Sequence, residues 1–358
     1  MTSSIPWFES DRLIEDVRRQ TGVEVSLPRH VGDALTVLAS SAAARIDEPV
    51  GRRIFHGDVM RALRQRALWQ ELDQEQPIDD EPFEDLVFII GLPRTGSTLL
   101  HNFFAADPAS QIVPLWRAVW PFERQSISKT MQQCADQLKL IDRVSPDLRR
   151  LHPMSIAGPE ECITLMGLTF VSQRYQLMAD IPEYGEWLDE DADVDAAYLE
   201  YRAILRRLVG SRGRVVVKAP AHLRYLSSCV AAFPEARFVW LHRPLSEILP
   251  SFCALVEATQ KLGGGTKNTS TLGPFWSRYW AQAIEDGALV ASTLPVSHIQ
   301  FADMIDAPVR VVSTLYDEFG WGVNKRFRAS AAAWFRSNAL EHKSAVAASP
   351  RSFGLRPQ

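Results

Sequence analysis

Two hydrophobic rhythms divide this chain. From about residue 8 to residue 76 the pattern predicts helices with few strand signals. In RRIFHGDVMRALRQRALWQEL (52–72), Ile54, Val59, Leu63, Leu68 and Leu72 recur at roughly helical spacing. An acidic, proline-bearing connector, QEQPIDDEPFED (74–85), closes that region. Beyond it short apolar runs alternate with longer amphipathic stretches. LVFIIG (86–91), RVVVKAP (214–220), RFVWLHRP (237–244) and SHIQF (297–301) are each too short for a helix and rich in Val, Ile or Phe. That is the pattern of strands covered on both faces. EECITLMGLTF, AAYLEYRAILRRLV and SEILPSFCALVEA, which lie between them, favour helix. The alternation predicts an α/β fold, a parallel sheet with helices on both sides, behind an N-terminal helical segment. GGGTKNTST (263–271) is the clearest flexible loop and a candidate lid. There is no internal repeat and no low-complexity tract.

Composition narrows the function classes. A chain of 358 residues buries a full core, and 39 basic against 43 acidic side chains give a formal net charge of −4. No global basic footprint for nucleic acid exists, although a local basic pocket is compatible with that balance. Cys134, Cys162, Cys229 and Cys253 form no C-x-x-C pair and read as buried free thiols of a reducing compartment. The first residues, MTSSIPWFESDRLIEDVRRQ, carry acids early and lack an apolar core, unlike a secretory signal. No apolar run approaches a membrane span. The expectation is a soluble, cytoplasmic protein, monomeric or homodimeric.

The chemistry concentrates in FIIGLPRTGSTLL (88–100). Gly91 and Gly96 have the spacing of a phosphate-binding P-loop and Thr98 fills its hydroxyl position, but Ser97 stands where the lysine belongs. A strand precedes the loop and a helix follows it, so the N–H groups of Thr95 to Thr98 would meet an anion at a helix N-terminus. Arg94 adds a fixed charge with bidentate reach. A P-loop nucleotidase also wants an Asp ending a second apolar strand to hold Mg²⁺. Here VVVKAP ends on Lys218 and RFVWLHRP on His242-Arg243. Basic residues occupy the place of a metal-binding acid. Such a site suits a nucleotide with separated anionic groups and a transferred group less charged than phosphoryl, and a sulfuryl group fits.

With these segments in view the sequence resembles the sulfotransferases that use 3′-phosphoadenosine 5′-phosphosulfate (PAPS). GLPRTGSTLL looks like the loop of that family that grips the 5′-phosphosulfate, through Pro93, Arg94, Thr95, Gly96, Ser97 and Thr98. RFVWLHRPLSEILPSF is similar to its 3′-phosphate element, with Arg243 and Ser251 as the contacts. VVVKAPAHLRYL resembles the strand ending in a catalytic-site lysine followed by histidine. PEECITLM and the C-terminal Phe353-Gly354-Leu355 add a weaker likeness to a large bacterial branch. The resemblance implies a Rossmann-like parallel sheet flanked by helices, with PAPS across the strand ends and adenosine 3′,5′-bisphosphate as product, without a metal. It divides the chain into a helical segment packed on the core (1–80) and a sulfotransferase α/β domain (81–358). The sequence departs from relatives at His242-Arg243-Pro244-Leu245, where they commonly read HRDP or RNP. It departs again at Trp116-Arg117, where the bacterial branch often has Trp-Glu and would offer a glutamate base.

In-line sulfuryl transfer to a hydroxyl needs a base for the acceptor proton and positive charge at the leaving phosphate. By resemblance Arg94 and Lys218 supply the charge. His222, four residues past Lys218, is the leading base, since imidazole titrates near neutrality; its bland role is orienting the Lys218 strand or capping a nearby helix. His152 and Glu160 or Glu161 are rivals, but PEEC also reads as an ordinary helix start, the favoured reading for both glutamates. His101, next to the loop, packs or faces the acceptor. Lys343 and Arg351 near the C-terminus could meet the nucleotide's 3′-phosphate, but the favoured reading is solvated charges on a tail. The acceptor pocket is expected from 112–130, 150–190 and 260–276, which carry Trp116, Trp120, Phe122, Phe170, Tyr175, Tyr184, Trp187, Phe275 and Trp276. These aromatics suit a small lipophilic or aromatic hydroxyl compound, although most would serve equally as core. Two rivals stand beside this reading: an ATP-dependent P-loop kinase, and a catalytically inactive nucleotide-binding protein.

Overall fold

The structure, a computed structural model, describes residues 8–25, 27–322, 327 and 349–356. Three helices come first: α1 (Ser10–Thr21), α2 (Arg29–Arg45) and α3 (Pro49–Glu75). The start of α3 is set locally. Pro49 occupies its first turn, and the Glu48 carboxylate accepts a hydrogen bond from the Gly51 N–H at 2.6 Å. The connector after α3 is fastened by arginines of the helix Val194–Val209: Arg207 bonds Asp73 at 2.8 Å and Arg202 bonds Asp80 at 3.1 Å.

All four expected strands form. They are β1 (Asp85–Gly91), β3 (Arg214–Lys218), β4 (Arg237–His242) and β5 (Val296–Gln300), joined by the two-residue β2 (Ser110–Gln111), which has no hydrophobic signature. The order is β2-β3-β1-β4-β5 and every pairing is parallel. Strand alternation then feeds two cores. Leu86, Phe88, Ile90, Val215, Val217, Phe238 and Trp240 join the larger cluster, which also holds Leu13, Leu35, Phe55, Val59 and Leu63 of the N-terminal helices. Val87, Ile89, Val216, Val239 and Leu241 pack on the other face against Leu100, Phe103 and Phe104 of α4 (Ser97–Ala105). The register sets Gly91 beside Leu241 and Ile89 beside Lys218, so the carboxyl ends of the central strands form one rim. Open α/β sheets bind ligands at that rim.

Two glycine positions decide local geometry. Gly91 has φ +125°, and a Cβ there would lie 2.4 Å from the Leu241 carbonyl oxygen, a main-chain atom fixed by the sheet. Gly91→Ala is therefore expected to cost about 2 kcal/mol or more. Calorimetry should show a melting temperature several degrees lower; an unchanged one would remove this constraint on the loop. The triple glycine at 263–265 does not form a lid. A Cβ on Gly263 would meet Ala179 Cβ and the Met178 carbonyl oxygen at 2.6 Å, and Gly264 lies against Gly51 of α3. Gly265 N–H also donates to the Gln260 carbonyl at 2.8 Å, and Lys267 N–H to Asp180 at 2.8 Å. Gly263 thus serves close packing, while Gly264 and Gly265 take left-handed backbone (φ +97° and +89°). Phe353 is buried in the larger core, while Lys343 lies outside the described residues. No helix among the described residues is long and apolar enough to cross a membrane.

Candidate active site

The loop between β1 and α4 is a tight turn that leads directly into the helix start. Arg94 (φ 65°) and Gly96 (φ 84°) both take left-handed backbone, which for arginine is a strained choice. The Thr95 hydroxyl donates to the Leu92 carbonyl at 2.7 Å and closes the turn. The first main-chain bond of α4 runs from Leu100 N–H to Gly96 at 3.0 Å. The N–H groups of Ser97 to Leu99 are thus left at the positive end of the helix.

Three cations converge on this turn. Arg243, just past β4, donates to the Arg94 carbonyl at 3.0 Å, and its guanidinium lies 4.2 Å over the Phe301 ring. Arg94 itself donates to the Leu151 carbonyl at 2.8 Å and has no carboxylate partner among the described residues. Burial and the neighbouring Arg243 charge hold it below the ordinary arginine value. Arg243 also pairs with Glu247 at 3.1 Å, so of these two close cations Arg94 is the one without a carboxylate. Ser251 lies on the helix Leu245–Gln260, its hydroxyl bonded to the Ile248 carbonyl at 2.9 Å. The third cation is Lys218, 2% exposed at the end of β3. Its Nζ is 3.5 Å from Thr98 Oγ1 and pairs directly with the Glu161 carboxylate.

Glu161 occupies the N-cap position of the short helix Cys162–Met166, but its side chain makes no capping bond and turns to Lys218 instead. The helix-start reading of PEEC thus holds for the backbone and misses the side chain. Burial alone would raise the Glu161 carboxyl, yet the Lys218 and His152 charges outweigh it and hold it below its ordinary value. Glu160, by contrast, faces Thr164, whose hydroxyl donates to it at 3.1 Å.

The histidines separate sharply. His222, the leading base from sequence, is 0% exposed and does not line the cavity described below. Its Nδ1 lies 2.7 Å from the Tyr198 hydroxyl, its ring packs edge-on against Phe88, and burial pushes its pKa down to about 3. The structure thus places His222 in the core and does not bring it to the cavity, where the sequence reading expected a base. His101 packs on the sheet with Nε2 3.3 Å from the Val216 carbonyl; burial and Lys218 push it down to about 3. His152 does line the cavity.

That cavity, 640 Å³, is of ligand size and begins at Pro93, Pro220, His152 and Glu161. Residues of α3 and of the helix Ile127–Val144 also line it, and aliphatic side chains such as Ile54, Leu140, Leu177 and Leu255 make up much of the wall. Of the nine aromatics expected to form it, only Trp120 does so. Phe170, Tyr175, Tyr184 and Trp276 are fully buried core, the bland reading. Sequence reasoning also missed Asp58 and Arg61 of α3 and Arg174, all on the cavity wall. One signal was available: Ile54, Asp58 and Arg61 share a helix face at i, i+4 and i+7, so two charges interrupt an apolar stripe.

Comparison with known proteins settles the family. The profile of the Sulfotransferase family matches residues 86–325, more than half of the chain. The chain belongs to this family. Among curated proteins it is 22% identical, over 275 residues, to omega-hydroxy-beta-dihydromenaquinone-9 sulfotransferase Stf3 of Mycobacterium tuberculosis, covering 72% of this chain and 68% of that one. The same protein of Mycobacterium bovis matches equally. Among solved structures, sulfotransferase STF1 of Mycobacterium tuberculosis superposes with a TM-score of 0.78 at 24% identity, covering 97% and 95% of the two chains. Sulfotransferase STF9 of Mycobacterium avium gives 0.81 at 20% identity, covering 98% and 93%. The α/β fold of this sulfotransferase is therefore that of its relatives, and the kinase alternative falls.

Proposed function

We propose that this sulfotransferase takes its sulfuryl group from PAPS and delivers it to the hydroxyl of a small, lipophilic acceptor held in the cavity. One observation carries the reading: Lys218 touches the anion loop through Thr98 and the cavity wall through Glu161. A group held by the loop and a hydroxyl held in the cavity would meet beside that ammonium. In the transfer, the bond from sulfur to the bridging phosphate oxygen breaks while the acceptor oxygen bonds sulfur from the opposite side. The leaving oxygen keeps the electron pair, and Lys218 and Arg94 neutralise it. The acceptor proton passes to Glu161, with His152 beside it to tune the carboxylate. Arg243 and Ser251 take the 3′-phosphate, and the loop from Pro93 to Thr98 the 5′ end. A lipophilic acceptor is supported by the aliphatic wall and by the menaquinone derivative named for Stf3.

The same reading treats residues 1–80 as a helical segment packed on the 81–358 domain, with α3 lending one wall to the acceptor cavity. A cytoplasmic location suits the four free, buried cysteines.

Isothermal titration tests the donor. Adenosine 3′,5′-bisphosphate should bind without Mg²⁺ and far more tightly than ATP. Binding of ATP alone, and only with Mg²⁺, would sink the proposal.

A further inference from the structure

Among the charged residues that interrupt the largely apolar wall of the cavity, Asp58, Arg61 and Arg174 form one bonded cluster. Asp58, whose side chain is 4% exposed, accepts bonds from Arg61 Nη2 at 2.8 Å, from Arg174 Nη2 at 2.7 Å and from Arg174 Nε at 3.3 Å. Its carboxylate is thereby fully used, and Arg61 spends Nη1 on the Val119 carbonyl at 2.7 Å. Arg174 is different. Its side chain is 21% exposed, it lines the cavity, and its Nη1 has no hydrogen-bond partner among the described residues. Burial opposes the Arg174 charge, but Asp58 outweighs it, and Glu160 adds to the effect. Glu160 also lines the cavity, and among the described residues its carboxylate accepts one hydrogen bond, at Oε1 from the Thr164 hydroxyl.

We infer that Arg174 and Glu160 form a second recognition point for the acceptor, reading an additional oxygen-bearing group a few bonds from the hydroxyl that is sulfated. The inference rests on the proposed function of the site. Three physical points support it. Asp58 grips Arg174 by two nitrogens and so fixes the plane of the guanidinium, leaving Nη1 as a preorganised donor. Arg61, Arg174, Asp58 and Glu160 together are neutral, which suits a hydroxyl or carbonyl better than a carboxylate. Burying ions in an apolar wall stabilises little by itself, and a wall of hydrophobic residues would serve stability as well. Position sets the spacing. Glu160 and Glu161 are consecutive, with Cα atoms about 3.8 Å apart. Both line the same cavity, so a single acceptor can meet both. The acceptor class is an apolar body with a head carrying two oxygens. Asp58 is a positioning residue for Arg174.

The test compares 1-octanol with 1,2-octanediol, which share one apolar chain, at saturating PAPS. The diol should have kcat/KM about tenfold higher, mostly through KM, since hydrogen bonds to charged groups discriminate at that scale. Arg174→Lys, which keeps the charge but loses the fork, and the near-isosteric Glu160→Gln should each pull the ratio towards one. Equal kcat/KM in the wild type, or a ratio unchanged in both variants, would overturn the inference. Sulfation of neither alcohol by a protein that binds adenosine 3′,5′-bisphosphate would overturn it while leaving the donor site intact. Loss of that binding as well would remove the proposed function beneath it.

Discussion

Lys218→Met is expected to lower kcat at least a hundredfold. Preorganised positive charge at a developing oxyanion contributes about 10²–10³ in rate, and Lys218 contacts both Thr98 of the loop and Glu161 of the cavity wall. The backbone donors of Ser97 to Leu99 and the guanidinium of Arg243 remain, so adenosine 3′,5′-bisphosphate should still bind, roughly tenfold more weakly. Removing a buried partner also leaves Glu161 without its counter-ion, which destabilises the fold. The melting temperature must therefore be measured alongside, and Lys218→Arg, which restores the charge, should recover part of the rate. Turnover within threefold of the wild type in a folded Lys218→Met protein would exclude the lysine from the reaction.

Glu161→Gln should cost about 10²–10⁴ in turnover, the usual contribution of a positioned base. Its pH signature is more telling. A base works deprotonated, so activity is present above its pKa and lost as pH falls through it. In the free enzyme Lys218 and His152, opposing burial, hold the carboxyl low. An anionic donor in the loop would draw the Lys218 charge towards itself and place negative charge nearby, and both changes raise the carboxyl pKa. The acid limb of kcat should then lie at higher pH than the acid limb of kcat/KM for the donor, because the first reports the bound enzyme and the second the free one. Glu161→Gln should abolish that limb. His222→Gln, in a residue sealed behind Tyr198, should leave it in place. Coincident limbs in the wild type, or a limb that follows His222, would overturn the assignment.

The two halves of the site differ in how far they were readable. Gly91, Arg94, Gly96 and Thr98 lie within eight residues of one another, between a strand and a helix whose own patterns are local. Lys218 and Arg243 were found the same way, as the residues that end apolar runs. Such features were legible because turn geometry, strand alternation and a helix start are settled among near neighbours along the chain. The resemblance to sulfotransferases rested on those same segments, and the family comparison agreed.

The acceptor side was settled otherwise. Asp58 and Arg174 meet across 116 residues, and Glu161 and Lys218 across 57. No periodicity distinguishes a tryptophan that walls a cavity from one that fills a core, and eight of the nine chosen aromatics proved not to line it. Nor does PEEC say whether its second glutamate will cap its own helix or leave it for a lysine. That depended on which strand end came to rest beside it. By itself the sequence determined the four longer strands, the turn between β1 and α4, and the family, because each is written in contiguous residues. Only the tertiary structure brought Glu161 to Lys218 and chose the residues that wall the cavity, since a buried charge takes its partners from what packing brings within reach.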